Sequence, residues 1–349
     1  MVETDILIVG GGIAGAGLGA ALAGRRDVLL IEAEDQPGHH STGRSAAFWL
    51  ESYGGPAVAP LTRESRAMLA GHGWLHQRGA IHISRDGTFD GLPELERIDR
   101  AGLEQRIPGL RPAWREGRDE PSCADIDVAA LHGYFLAQLR RDGGAVRTSA
   151  RLAEAVSVDG RWRVTLEDGT RIAAKVLVNA AGAWADEVAA ASEVAPIGIA
   201  PKRRTMVQLR VDQPGLRELP LISDAAAKFY FKGAGERTIW LSPHDEVDCA
   251  PCDAAPEEID VATAIARFEE VVDWRIEAVE RRWAGLRSFA PDRVPVYGFD
   301  PRQPDFFWCA GQGGFGIQTA PAAAALGAAL LLGEPPAIDP APFDPARFA

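Results

Sequence analysis

Residues 5–34 read DILIVGGGIAGAGLGAALAGRRDVLLIEAE: an apolar run, three glycines, a stretch of small residues, a second apolar run and a carboxylate. No other segment restricts the fold as strongly. The order predicts strand, tight turn, helix, strand and acid. Gly10, Gly12 and Gly15 supply the G-x-G-x-x-G spacing. The first permits the turn, the second lets a pyrophosphate approach the backbone, and the third lets helix and strand pack closely. Amides at the helix start, at Ile13 and Ala14, then face the phosphates with the positive end of the helix dipole behind them. Glu32, followed by Ala33, closes the second strand and is placed to accept hydrogen bonds from ribose hydroxyls. An acid there disfavours a 2′-phosphate, which argues against NADP. A lone glycine triplet can be a structural turn, but the ordered unit points to a dinucleotide site.

With 349 residues the chain exceeds a usual single domain, and two domains are expected. The net charge of -12 offers no footprint for nucleic acid or an anionic membrane. The N-terminus enters its first strand at once, without a signal-peptide pattern, so a cytoplasmic location is expected. The most apolar stretch, residues 320–332, is thirteen residues long and carries Pro321. A membrane span needs about 20, so it reads as a buried helix and no transmembrane segment is expected. Cys249 and Cys252 form a C-x-x-C in an acidic loop, half a zinc site or a redox pair in form. No second pair completes four ligands, and a solvated loop without metal is the expectation.

Further along, residues 61–69 show helical spacing, and residues 80–121 read as one short strand (80–84) and much loop. Residues 127–141 open on an acid and end before Gly143 and Gly144, a helix with both boundaries marked. Residues 161–166 and 170–178 alternate around Asp168 and Gly169 as a hairpin. Strands are expected at 205–211, 228–232, 238–242 and 277–289, with a helix near 261–272; then a strand at 305–310, a glycine turn and a helix at 317–332. The expected fold class is α/β (α+β), a Rossmann-like nucleotide-binding domain with a second, mixed-sheet substrate domain. The first would comprise residues 1–60, 125–195 and 285–349, the second 61–124 and 196–284.

Several separated segments together resemble the flavin-dependent D-amino-acid oxidase (DAO) superfamily, most closely its D-arginine dehydrogenase branch. They are the N-terminal unit, HSTGRSAA at 40–47, ADIDVAALHGYF at 124–135, VLVNAAGAW at 176–184, PKRR at 201–204, WAGLRSF at 283–289 and GQGGFGIQT at 311–319. The resemblance implies the FAD fold shared with glutathione reductase, and FAD rather than NAD. It places His40, Ser41, Thr42, Gly43, Arg44, Ser45, Ala46 and Ala47 along the cofactor, Arg44 offering a guanidinium to pyrophosphate or flavin edge. Leu152, read as part of the third strand, is expected at the adenine, with Ala180, Gly182, Trp184 and Gly285 also against the cofactor. Gly311, Gly313, Gly314, Phe315, Gly316, Ile317 and Gln318 would form a second glycine turn, whose helix amides stabilise negative charge on the reduced ring. Gly313 and Gly314 would let a substrate approach closely. Sarcosine oxidase relatives attach FAD through a Cys that would fall near Gly285; none lies there, so noncovalent FAD is expected.

By the same resemblance Arg204 and Arg287 hold a substrate carboxylate, and Tyr53 and Tyr230 belong to that pocket, Tyr53 on a glycine-flanked lid. The acid that reads a cationic side chain in D-arginine dehydrogenase aligns with Ala80, and a lid His with Phe48. Without that carboxylate a buried cation is costly, so neutral or apolar D-amino acids are the expected substrates. Hydride transfer to flavin N5 would give an imino acid and then a 2-oxo acid and ammonia. Sarcosine oxidase relatives carry an oxygen-activating Lys near Ile239; residues 238–242 contain none, which favours a dehydrogenase passing electrons to a quinone or another carrier over reaction with O2. Other readings remain open: the same fold acting on glycine, sarcosine, proline or a 2-hydroxy acid, and a noncatalytic FAD-binding module. Oligomeric state is open, with a monomer the default.

Overall fold

The computed structural model describes residues 2–92 and 94–349. Strand Val2–Val9, helix Ile13–Leu22 and strand Val28–Ile31 form in the order the glycine unit dictates, the two strands parallel with Ile6 opposite Val28. Because side chains alternate along a strand, Leu7, Val9, Leu29 and Ile31 enter one apolar layer with Trp162, Val188 and Trp308. Ile6, Ile8, Val28 and Leu30 enter the other, against Leu18, Leu22 and Leu326. Burial on both faces explains why these strands read as unbroken apolar runs.

Strand Arg171–Asn179 lies parallel on the other side of Val2–Val9, with the antiparallel strand Arg161–Leu166 beside its start and the parallel strand Phe306–Ala310 beside its end. Together they belong to an eight-stranded sheet. The third strand of the parallel run is Ala145–Arg147, not the segment holding Leu152. After Ser149, at φ 50°, the chain leaves this ladder, and Leu152 opens the strand Leu152–Val158, antiparallel to Arg161–Leu166. Amides of Ser149 and Ala150 bond to the Glu34 and Glu32 carbonyls, which returns Leu152 to the cavity wall by another route.

A ten-stranded sheet carries the rest. Its central partners are the long strands Ala200–Val211 and Ile276–Phe289, antiparallel with Lys202 opposite Arg287. One face, with Val207, Leu209, Ile222, Phe231 and Ile81, packs on Phe268 and Ala264 of helix Glu258–Glu269. Alternation sends Arg204, Met206 and Tyr230 to the other face. Residues 80–121 hold more order than expected: strands Ala80–Ser84, Glu96–Ile98 and Glu116–Glu120 and helix Arg100–Arg106. The segment EGRDE has no apolar alternation, and pairing with Ala80–Ser84 imposes its strand geometry. Strand Leu221–Asp224, parallel to Ala80–Ser84, is a further addition.

Gln312–Gly313, in the second glycine turn, pairs with Ser288 and Phe289 at the end of the long strand Ile276–Phe289. The second sheet is thereby joined to helix Gly316–Leu332, which packs on the first. Among the described residues no helix is long and apolar enough to cross a membrane.

Candidate active site

A cavity of about 540 Å³ is lined by both sheets: Gly10, Gly12, Ile13, Ala14, Glu32, Ala33 and Leu152 from the first, Arg204, Met206, Tyr230, Gly285 and Arg287 from the second. At Gly10, φ is 109° and a Cβ would run into the Ala180 carbonyl; at Gly15 it would overlap the Gly10 carbonyl. Gly15 therefore lies under the turn rather than on the cavity wall. Gly12 meets only Thr42 Oγ1, at 3.3 Å. That hydroxyl accepts from the Ile13 amide at 3.0 Å, and no side chain of Gly12 itself caps the helix. Glu32 accepts from the Gly11 amide at 2.8 Å and the Glu34 amide at 2.9 Å, which holds its carboxylate at the turn. The Gly11 carbonyl in turn accepts from His132 Nε2 at 2.8 Å. Burial lowers the His132 pKa, so the ring donates while neutral. Sequence reasoning did not single out His132; its one signal was a histidine on the apolar face of helix Val128–Arg141.

The loop after the second strand brings His40, Ser41, Thr42, Arg44, Ser45 and Ala46 to the cavity, with Ala180, Gly182 and Trp184 facing them, while Gly43 and Ala47 lie off its wall. His40 stacks obliquely on Trp184 at 4.6 Å; its Nε2 meets Glu34 at 3.1 Å, and its buried Nδ1 has no hydrogen-bond partner among the described residues, with Asp253 Oδ1 3.9 Å away. The Arg44 guanidinium is turned from the expected role. It donates to the carbonyls of Ala254 (2.8 Å) and Ala284 (3.2 Å) and pairs with Asp253, because those groups need a donor where the 249–254 loop meets the second sheet.

The glycines of the second turn also serve packing more than approach. At Gly314 a Cβ would collide with the Tyr53 hydroxyl and lie 3.1 Å from Arg287 Nη1, and at Gly313 it would strike Phe289. Gly313, Gly314, Gly316 and Ile317 line the cavity; Gly311, Phe315 and Gln318 do not. Gly311 backs onto Ala290, and the Phe315 ring packs on Tyr53 at 5.4 Å. Gln318 instead anchors the segment before Gly54: Oε1 accepts from the Leu50 amide at 3.3 Å, and Nε2 donates to the Tyr53 carbonyl at 3.2 Å and Thr62 Oγ1 at 2.9 Å.

Arg287 Nη1 donates to the Tyr53 hydroxyl at 3.0 Å, and among the described residues no carboxylate lies within ion-pair distance of its guanidinium. Arg204 is placed differently. It is buried, its Nε donates to the Asp245 carbonyl at 2.6 Å, the carboxylates of Asp245 and Glu246 stand at 3.6 and 3.5 Å, and Nη1 has no partner. Burial, then the positive charge of Arg287, lowers the Arg204 pKa. Phe48, Tyr53, Ala80 and Tyr230 lie in one apolar cluster with Leu50 and Leu221. Of these only Tyr230 lines the cavity; Tyr53 joins it through Arg287. His244, whose place beside this pocket no sequence signal gave, meets the Tyr230 ring edge at 5.8 Å. Burial, then Arg204 and Arg287, pushes it down to about 3. Cys249 and Cys252 stand with Sγ atoms 3.4 Å apart behind Trp184 and Leu286.

An elongated ligand with a ribose, a pyrophosphate and a flat ring suits this lining: a held acid, a glycine turn without a Cβ in the way, a helix start, and a His40 Nδ1 without a hydrogen bond. The chain belongs to the DAO family of FAD dependent oxidoreductases, whose model matches residues 5–330. Its cofactor is FAD. The chain is 28% identical over 312 residues to D-amino-acid oxidase of Bradyrhizobium diazoefficiens, covering 83% of this chain and 71% of that protein. It is 33% identical over 207 residues to glycerol-3-phosphate dehydrogenase of Pseudomonas aeruginosa, covering 52% of this chain and only 40% of that protein. In fold it is similar to the crystal structure of glycine oxidase from Geobacillus kaustophilus, with TM-score 0.85 and 20% identity over 99% of this chain and 98% of that one.

Proposed function

We propose that the protein oxidises neutral, apolar D-amino acids to imino acids, which water converts to 2-oxo acids and ammonia, with FAD bound noncovalently. The observation that carries this reading is Arg287, a guanidinium at the cavity wall with a phenol for a partner and no carboxylate beside it. A substrate carboxylate supplies the bidentate anion that a guanidinium fork is built to take. Arg204 Nη1 is a further donor on the same wall. Met206, Tyr230 and Leu286 supply apolar surface to the cavity lining, and the Phe48, Leu50, Ala80 and Leu221 cluster packs with Tyr230 behind it. Bound FAD supplies the hydride acceptor. Glu32 and the helix at Ile13 would hold its ribose and pyrophosphate, with residues 40–46 and 313–317 along the rest. No cysteine is among the described residues that line the cavity, which favours noncovalent binding. The lining carboxylates, Glu32, Glu34, Glu167 and Glu187, belong to the first sheet and its helices, so no acid stands at Arg287 to remove an α-proton. Catalysis then rests on positioning.

A dehydrogenase is favoured over an oxidase. Strand Thr238–Ser242 has no Lys, and Lys232, across from Trp240 on the next strand, is tied to Asp125 at 2.8 Å off the cavity wall.

The test is anaerobic bleaching of the flavin by paired D- and L-amino acids, followed by air or a quinone. D-Leu, D-Met or D-Phe should bleach it with higher kcat/KM than D-Arg or D-Lys. The opposite order refutes the apolar specificity, and rapid reoxidation by air refutes the dehydrogenase. A second reading, a 2-hydroxy acid, is favoured by His244 alone. Burial first, and then two guanidiniums, make its imidazole a poor base, and a bound carboxylate would offset only the guanidiniums. Bleaching by 2-hydroxy acids, and not by amino acids, would select it.

A further inference from the structure

We propose that Glu120, clasped by His82, is a positioning residue that sets Tyr53 against Arg287 by holding Ser52. Glu120 is 3% exposed, and its carboxylate takes three donors. The Ser52 amide donates at 3.1 Å, the Ser52 hydroxyl at 2.6 Å and His82 Nε2 at 2.9 Å. On the far side of the ring, His82 Nδ1 accepts from the Ser223 hydroxyl at 2.7 Å. Both ring nitrogens of His82 are engaged, Nε2 by Glu120 and Nδ1 by Ser223, so the clasp leaves neither free.

Register explains why this carboxylate matters to the site. Glu120 lies opposite Ala80, which gives the two side chains the same face of the second sheet. An acid is therefore present on the very face where Ala80 provides none. Three hydrogen bonds occupy most of its acceptor capacity, so it braces the loop instead of offering itself to a cationic side chain. Hydrogen bonds from His82 and Ser52 hold its pKa below the usual carboxylate range against the upward push of burial, which keeps it an acceptor at neutral pH.

The braced loop has two anchors and a pivot. Gln318 holds the Leu50 amide and the Tyr53 carbonyl from the last helix, and Glu120 holds Ser52 from the sheet. Gly54, at φ 105°, follows Tyr53 and caps helix Gly55–Gly71, and is the point about which the loop can turn once an anchor is lost. Tyr53 sits between these supports with its hydroxyl on Arg287. Loss of the Ser52 anchor lets the ring leave Arg287, and the guanidinium then loses the partner that orients its fork.

The proposal rests on Tyr53 and Arg287 being the carboxylate-binding pair, and the test separates the two. The FAD-loaded protein is titrated with benzoate, a carboxylate it cannot oxidise, and binding is read from the flavin absorbance. S52A and E120Q should each bind benzoate roughly tenfold more weakly, the size of one hydrogen bond to a charged group. S52T, which keeps hydroxyl and amide, should bind like the natural chain. Benzoate binding unchanged in S52A and E120Q but lost in R287A overturns the brace and leaves Arg287 standing. Unchanged binding in R287A overturns the carboxylate site itself. Equal loss in S52T and S52A also overturns the brace, because packing alone would then explain it. If E120Q does not fold, the Ser52 pair decides.

Discussion

The two arginines that looked equivalent in sequence occupy opposite electrostatic situations. Arg204 has the carboxylates of Asp245 and Glu246 at 3.6 and 3.5 Å, yet burial and the charge of Arg287 lower its pKa; Arg287 has only Tyr53 within hydrogen-bond reach, while against burial Tyr53, Tyr230, Glu246 and Asp245 raise its pKa. Removing Arg287 should therefore cost function rather than stability. In R287A, kcat/KM for the best D-amino acid should fall on the order of a hundredfold, as loss of a charge-assisted contact of about 3 kcal/mol implies, with no fall in Tm. R204A should instead lower Tm, because it leaves the Asp245 carboxylate buried without its cation. His244 carries a pH dependence of definite sign. Its folded pKa, about 3, lies below the ordinary histidine value of 6.5, so the unfolded chain binds the proton first. Stability is intact above pH 6.5 and falls as pH drops from there toward 3. Tm measured across that window should fall less steeply in H244N than in the natural chain. Sequence marked the glycines and both arginines but could not tell the guanidinium with carboxylates within ion-pair distance from the one without, since Asp245 and Glu246 arrive from a different strand end.

Elements were legible where their signals are local. Helix Val128–Arg141 begins where an acid precedes helical apolar spacing, and Asp127 does accept from the Ala130 amide at 2.9 Å. D127A should cost about 1 kcal/mol of stability in a thermal or urea melt and leave the substrate profile unchanged. Strand Glu116–Glu120 was illegible for the complementary reason. Its residues are charged or glycine, and only the ladder to Ala80–Ser84 makes it extended. Leu152 shows the same limit at one residue: it was read as part of the third strand, while the chain's departure from that ladder after Ser149 depends on contacts with the backbone of residues 32 and 34.

At the scale of the whole molecule, one cavity draws its walls from both sheets, and Gln312–Gly313 links the sheets beside it. A cofactor bound there should stabilise the entire fold by mass action. At free FAD a hundredfold above its Kd, the gain is about 2.7 kcal/mol, so Tm should rise with FAD concentration and the flavin-stripped protein should melt lower in one cooperative step. Separate melting of two units, only one responding to FAD, would contradict this. The sequence by itself determined the nucleotide unit, the FAD family and the residue types at the pocket, because glycine turns, helix caps and buried strands are written in neighbouring residues. Only the tertiary structure decided which charges are answered. Arg44 turned to Asp253, Arg204 to Asp245, Gln318 to the loop before Gly54 and Glu120 to Ser52, each through a partner far away in sequence. Arg287 was left with Tyr53 and, among the described residues, no carboxylate within ion-pair distance, and that follows from the distance between side chains in space, which no spacing along the chain records.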